Sequence, residues 1–96
     1  MIKSFGNKIA QDLYNDKRSK ALSKFPSELI RVARRRILYI HDADQLIDLK
    51  VPPGNRLEAL KGDLKGYHSI RINDQWRVVF KWNGGAEEVQ VVDYHK

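Results

Sequence analysis

The last residues of the chain carry three side chains that can hold or transfer a proton. The run VVDYHK ends a strand-like segment with a carboxylate, a phenol and an imidazole at Asp93, Tyr94 and His95. Imidazole titrates near pH ~6.5, so a histidine can act as an acid or as a base at neutral pH. Because a run at a chain end is often only solvated, its neighbours in the fold decide whether it belongs to a site.

Three basic side chains precede this run on segments that the fold can bring towards it. Lys61 stands directly before the turn residue Gly62, and Arg71 and Arg77 belong to two successive strand-like segments. Neighbouring antiparallel strands lie about 5 Å apart, so side chains from different strands can converge on one pocket. We therefore expect the lysine and the arginines to share a surface with the terminal run.

These groups together suit cleavage of a phosphodiester bond in RNA without a metal. A base must take the proton of the 2′-hydroxyl, cations must stabilise the charge of the phosphate in the transition state, and the leaving 5′-oxygen must gain a proton. His95 would serve as base or acid, while Arg77 and Lys61 would hold the phosphate. Tyr94 would stack on a base or align a group through its phenol.

Each of these residues also has a purely structural interpretation. His95 can be solvated, Asp93 can pair with a nearby lysine, and Arg77 can lie over an aromatic ring on the sheet. The other two histidines, His41 and His68, are interpreted as structural. Residue spacing alone leaves the catalytic and the structural interpretations open.

The composition excludes several other kinds of chemistry. The chain has no cysteine, which excludes disulfides, thiolate zinc sites and cysteine nucleophiles. Its three histidines are widely separated and form no HExxH pattern. We therefore expect no metal and no other cofactor.

The elements that must position these residues change from helical to extended along the chain. Apolar residues recur at helical spacing from Asn7 to Asp16 and from Pro26 to His41, and a shorter helix is expected after an N-cap at Asp42 or Asp44. Later, YHSIRI, QWRVVFKW and EVQVVDY alternate as strands, with MIKSF as a short edge strand or extended arm. The sequence predicts a single α+β domain, residues 1–96, whose N-terminal helices pack on one face of a twisted, mostly antiparallel β-sheet.

The charge of the chain is concentrated in its first third. The net charge is +6, and the segment RVARRR places Arg31, Arg34 and Arg35 largely on one side of a helix. This side can bind nucleic acid, dock a partner protein or simply be solvated. The sequence has no apolar run long enough to cross a bilayer and no signal-like start, so we expect a cytoplasmic protein without a membrane partner.

Three segments resemble a known family in their order and spacing. MIKSF, PPGNRLEALKGDLKGYHSIRINDQWRVVF and VVDYH are similar to the HigB branch of the RelE-like toxins of bacterial toxin-antitoxin pairs. The resemblance implies the RelE-like microbial RNase fold and a nuclease that cleaves mRNA in the ribosomal A site. It also implies three partners, which are the ribosome, mRNA and a HigA-like helix-turn-helix antitoxin that silences the toxin.

The resemblance also assigns roles to individual residues. Five positions correspond to the functional positions of the family, namely Lys61, Arg77, Asp93, Tyr94 and His95. Two further residues are auxiliary candidates, Glu58 and Arg71. The basic residues expected to bind RNA or the ribosome are Arg31, Arg34, Arg35, Arg56 and Lys65.

Glu58 departs from the pattern of the family. Some HigB-type toxins have a histidine at this position, three residues before the lysine, so two-histidine chemistry is not available here. Either Glu58 acts as the general base, or His95 acts together with Asp93. We hypothesise the second, because a lone carboxylate that faces a phosphate is less effective as a general base than an imidazole is.

Two alternatives to the nuclease follow from the same features. ParE-type relatives share the fold and act on DNA gyrase, but a gyrase poison needs no RNA-cutting residues. A non-catalytic basic module could instead bind RNA or the ribosome through RVARRR. Replacing His95 with alanine separates these cases, because it would abolish cleavage by a nuclease and leave a binding module unaffected.

Overall fold

Two α-helices precede a four-stranded antiparallel sheet in this computed structural model, which describes residues 1–94. The helices are α1 (Lys8–Asn15) and α2 (Ile30–Asp42). The strands are β1 (Glu58–Ala59), β2 (Tyr67–Arg71), β3 (Trp76–Trp82) and β4 (Ala86–Asp93). Their spatial order is β1-β2-β3-β4, and each neighbouring pair is antiparallel. The expected α+β architecture is confirmed.

A single side chain caps α1 and fixes it to the last strand. The Oδ1 of Asn7 accepts the backbone N–H of Ala10 at 3.1 Å, which satisfies one of the free donors at the helix start. The same oxygen accepts the N–H of Val91 at 3.2 Å, while Nδ2 of Asn7 donates to the carbonyl of Val91 at 2.8 Å. The cap therefore holds the helix layer against β4.

Helix α2 buries one apolar stripe against the sheet and leaves Arg31 and Arg35 exposed. Ala33, Ile37 and Ile40 are fully buried, at the three-to-four spacing of a single helix face. The expected helix start at Pro26 is instead a 3-10 turn, Ser27–Leu29, because Pro26 has the extended ψ of 122°. Across residues 1–94, no helix has the length and apolar character needed to cross a membrane.

The segment after α2 differs from its expected form. Leu46–Lys50 is a 3-10 helix, and its N-cap is Gln45. The expected N-cap at Asp42 or Asp44 is therefore wrong. Gln45 and Asp48 form a reciprocal capping box, in which each side chain accepts a hydrogen bond from the backbone of the other. The 3-10 helix therefore begins after both Asp42 and Asp44.

The register of the sheet separates an apolar face from a polar one. Residues that are directly opposite in neighbouring strands share a face, and Ile70, Val78 and Val91 align in this way. All three are buried in the core beneath the helices. Arg71 and Arg77 form the adjacent pair on the opposite face. The sheet thus places both arginines on the side away from the helix layer.

The N-terminal segment lies along the edge of the sheet beside β4. Ile2 and Phe5 form isolated parallel bridges with Ala86 and Val89, and the N–H of Gly6 donates to the carbonyl of Val89 at 2.7 Å. The expected edge strand is therefore present as two bridges and not as a regular strand. It covers hydrogen-bonding groups of β4 that would otherwise be unpaired.

Candidate active site

A polar pocket lies on the face of the sheet that the helices leave uncovered. Its volume is about 400 Å³. The residues that line it come from β1 and the loop before it, the end of β2, the β2–β3 connection, β3 and the residue after β4: Arg56, Glu58, Arg71, Asn73, Asp74, Arg77 and Tyr94. The fold therefore brings together five of the residues that the sequence singled out, which are Arg56, Glu58, Arg71, Arg77 and Tyr94.

Arg77 is held in a fixed orientation at the floor of this pocket. Only 8% of it is exposed. Nη1 donates to Oγ of Ser69 at 2.8 Å and to the carbonyl of Arg56 at 3.4 Å, and Nη2 donates to Oε1 of Glu58 at 3.1 Å. Because a planar guanidinium must match several acceptors at once, these contacts set its direction before a ligand arrives.

Arginines outnumber carboxylates in the pocket. Arg77 pairs with Glu58, and Arg71 pairs with Asp74. Within residues 1–94, Arg56 has no carboxylate partner. Since a guanidinium can bind a phosphate through two parallel hydrogen bonds, the surplus positive charge favours a phosphate group as ligand.

Tyr94 extends the polar face beyond the end of β4. Its backbone N–H donates to the carbonyl of Gln75 at 2.7 Å, which ties the chain to the β2–β3 connection. The guanidinium carbon of Arg77 lies 5.7 Å from the centre of its ring, within the range of a cation–π contact. His95 follows Tyr94 in the sequence and lies outside the described residues, so its catalytic role stays a prediction.

Asp93 occupies the other face of the same strand end. It is paired with Trp76 in the register of β3 and β4, whereas Arg77 is paired with Val92. Oδ2 of Asp93 accepts from Nε2 of Gln75 at 3.0 Å. Asp93 is not among the residues that line the pocket. Its proposed action with the neighbouring histidine stays a prediction.

The two lysines of the candidate set lie on the connection between β1 and β2. Lys61 and Lys65 flank the 3-10 turn Gly62–Leu64 and are both exposed. Neither of them lines the pocket. Contact of Lys61 with a bound phosphate would therefore need its long, flexible stem to extend towards the ligand.

Arg31, Arg34 and Arg35 belong to a separate region of the molecule. They line a cleft beside α2, in the helix layer. The pocket around Arg77 opens on the opposite face of the sheet, so the structure does not join these arginines to it. Their expected contact with RNA or the ribosome is independent of the pocket.

Ser69 and Asn73 are site residues that sequence reasoning missed. Ser69 is fully buried and accepts the hydrogen bond that orients Arg77. Oδ1 of Asn73 accepts the N–H groups of Gln75 and Trp76 at 2.9 and 2.7 Å, which shapes the turn that places Arg71 and Asp74 beside the pocket. The alternation of YHSIRI puts Ser69 on the same face as Arg71, and that signal could have identified it.

His68 packs against an aromatic ring of the sheet. The ring of His68 lies 6.0 Å from the ring of Phe80, and burial lowers the pKa of the imidazole. Residues 1–94 contain no cluster of three or more histidine, aspartate or glutamate side chains that could hold a metal ion.

Helices lie on one face of the antiparallel sheet and a basic pocket lies on the other, and a solved structure shares this fold. The solved YoeB–YefM complex from Staphylococcus aureus contains a chain with the same fold, at a TM-score of 0.61 and 18% sequence identity. The match covers 100% of this chain and 99% of that chain.

The sequence comparisons identify a particular family within this fold. The family model of the RelE-like toxin of type II toxin-antitoxin system HigB matches residues 3–95, and the chain belongs to this HigB-like toxin family. The Vibrio cholerae protein named Toxin HigB-1 is 36% identical over 100% of this chain and 99% of its own. The Proteus vulgaris protein named Endoribonuclease HigB is 32% identical over 99% of this chain and 100% of its own. The resemblance noted in the sequence is confirmed.

Proposed function

We propose that this protein is a cytoplasmic toxin that cleaves mRNA in the ribosomal A site and so inhibits translation. The observation that carries the proposal is the fixed guanidinium of Arg77, which lies beside Tyr94 in a basic pocket. Tyr94 directly precedes His95 in the sequence. The Proteus vulgaris relative is named as an endoribonuclease, which supports the same activity in this chain. A helix-turn-helix antitoxin would be its natural inhibitor, as membership of a type II toxin family suggests.

The proposed reaction needs no atom beyond the RNA and the protein. The 2′-oxygen attacks the adjacent phosphorus, the bond from phosphorus to the 5′-oxygen breaks, and a 2′,3′-cyclic phosphate forms. A base takes the 2′-hydroxyl proton and an acid gives a proton to the 5′-oxygen. His95 would supply one of these steps, with Asp93 as its helper.

Arg77 would stabilise the charge that accumulates on the phosphate. Its contacts with Ser69, Arg56 and Glu58 do not use all the N–H donors of a guanidinium, so donors remain for a non-bridging oxygen. A donor that is already oriented loses little free energy to reorganisation as the charge develops. Arg71 and Arg56 would add positive charge at the pocket wall.

The ribosome would supply the orientation that the pocket alone does not. The pocket is open and polar, and Tyr94 is the sole aromatic side chain among the residues that line it within residues 1–94. Stacking on one ring holds one base, not a strand. Placing the reactive bond correctly can be worth about 7 to 11 kcal/mol, so we expect free mRNA to be a poor substrate.

Mapping of 5′ ends on a defined mRNA tests the proposal directly. Wild type, Arg77→Gln and His95→Ala are compared with and without programmed ribosomes, and Lys24→Gln serves as a control at an exposed cation away from the pocket. We expect ribosome-dependent cuts within A-site codons, reduced by about 100-fold or more in the first two variants, because a charge stabiliser or proton-transfer group is lost. Circular dichroism checks that each variant is folded.

One outcome would contradict the nuclease, and another would contradict its assignment to this pocket. Intact message in cells whose growth has stopped would redirect the function to gyrase or to simple binding. Full cleavage by both Arg77→Gln and His95→Ala would mean that the pocket takes no part in the reaction.

A further inference from the structure

A second cleft lies beside α2, apart from the candidate active site. Its volume is about 560 Å³. Four arginines and two aliphatic side chains form most of its lining: Arg18, Arg31, Arg34, Arg35, Ile30 and Leu38. The cleft is thus cationic at its walls and partly apolar at its floor.

The arginines of the cleft outnumber Asp16, the one acidic residue among the described residues that line it. Among the ion pairs of residues 1–94, none involves Arg18, Arg31, Arg34 or Arg35. Nε of Arg34 is buried without a hydrogen-bond partner in the same range. The contacts within the described chain therefore do not use all the donors of this guanidinium.

The helical spacing aligns these groups along one side of α2. Arg34 and Arg35 follow Arg31 by three and four residues, and Leu38 follows them by four and three, so these residues are neighbours on the helix surface. A linear ligand that runs along the helix can therefore meet the cations and the aliphatic floor together. This geometry fits an amphipathic segment better than it fits a single small anion.

We propose that this cleft binds an acidic, amphipathic segment of the antitoxin. Its carboxylates pair with the arginines through parallel hydrogen bonds, and an apolar side chain lies between Ile30 and Leu38. The choice of antitoxin as the partner rests on the function proposed above, whereas the chemistry of the segment rests on the cleft itself.

The lining favours a peptide over a nucleic acid. A phosphodiester backbone makes no use of the aliphatic surface of Ile30 and Leu38. None of the described residues that line the cleft is aromatic, so it offers no ring on which bases could stack. RNA binding at RVARRR, which the sequence alone allows, would use the arginines but make no contact with Ile30 and Leu38.

The test compares two fluorescent probes by anisotropy on the full chain. One is a synthetic helical peptide with glutamate on one side and leucine on the other, and the second is a single-stranded RNA of equal charge. The cleft variants are Arg31→Gln/Arg35→Gln and, separately, Leu38→Gln. The matched control is Lys20→Gln/Lys24→Gln, which removes the same charge from exposed residues outside the cleft.

We expect the arginine variant to weaken peptide binding by about tenfold or more and Leu38→Gln by several-fold, with less than about twofold for the lysine control. Arg77→Gln should bind the peptide normally, because it changes only the other face of the sheet. Thermal melting checks that Leu38→Gln is folded.

Three outcomes would overturn the proposal: no peptide binding by wild type, an equal loss in the lysine control, or RNA binding that needs Arg31 and Arg35 but not Leu38. The peptide assay includes no cleavage step, so none of these outcomes bears on the nuclease. Conversely, an mRNA that wild type leaves intact on programmed ribosomes would contradict the nuclease and would leave the proposal for the cleft standing.

Discussion

Arg77 illustrates how far residue-level prediction reaches in this chain. The alternation of QWRVVFKW places it on the face opposite Trp76 and Val78, and the structure agrees. Its acceptors come from elsewhere, namely Ser69 of β2, Glu58 of β1 and the carbonyl of Arg56. Arg56 directs its carbonyl towards Arg77 from a left-handed backbone conformation with a φ of 48°. No local pattern in RLEALKG predicts this conformation.

Glu58 provides the first prediction at this scale. Glu58→Ala should retain cleavage to within about tenfold, because Arg77 keeps Ser69 and the Arg56 carbonyl as acceptors. The side chain of Glu58 is 37% exposed, so solvent partly screens its pair with Arg77. Single-turnover cleavage on programmed ribosomes measures the effect, and Glu58→Gln separates loss of charge from loss of shape.

The opposite result would give Glu58 a catalytic role. Loss of a general base lowers the rate by about 100-fold to 10,000-fold. A decrease of that size in both variants, with wild-type unfolding temperature, would make Glu58 the base and contradict the assignment to His95 and Asp93.

At the level of elements, long periodic segments were predictable and short ones were not. The stripes of α1 and α2 and the alternation in β2, β3 and β4 each continue over several residues, so burial of one face determines their structure. β1 has only two residues, and its position depends on pairing with β2. Tertiary contacts decide such segments, and single-sequence patterns do not record them.

The docking of the N-terminal segment gives a prediction for Gly6. A Cβ at this position would lie 2.8 Å from the backbone oxygen of Glu88, closer than two such atoms can approach. Gly6→Ala should therefore lower the free energy of unfolding by about 1 to 3 kcal/mol, as overpacking does. Urea unfolding measures this change.

Gly54→Ala is the matched control for that substitution. A Cβ at Gly54 would meet nothing within 4 Å, so its effect should stay within about 0.5 kcal/mol. Equal unfolding midpoints for the two variants would mean that the segment before α1 does not pack tightly on β4.

For the whole molecule, two carboxylates link stability to acid. The hydroxyl of Ser19 lowers the pKa of Asp12, with Lys8 acting in the same direction and burial opposing it. Lys81 and Tyr67 lower the pKa of Glu88. Because the folded-state pKa values lie below the ordinary values of 3.8 and 4.5, the unfolded chain binds protons first as pH falls. The stabilisation is present above these values and is lost as pH falls through the folded-state pKa values.

Unfolding midpoints in urea between about pH 6 and pH 3 test this dependence. The midpoint should fall with pH in wild type and fall less steeply in Glu88→Gln, which has no proton to gain at that position. Glu28→Gln, at an exposed residue of the turn before α2, should retain the wild-type slope. An identical pH dependence in Glu88→Gln and wild type would exclude Glu88 as a contributor.

The net charge of +6 predicts that the proposed association with the ribosome depends on salt, which is a second property of the whole molecule. Each phosphate that a cation neutralises releases counterions, so the logarithm of the affinity should fall linearly with the logarithm of salt, by about 0.7 to 0.9 per contact. Cosedimentation with ribosomes over a potassium chloride series measures this slope. Lys61→Gln/Lys65→Gln should reduce the slope by up to about two contacts, because both lysines are exposed and neither belongs to the pocket. Affinity that is independent of salt would mean that shape, and not charge, holds the protein in the ribosome.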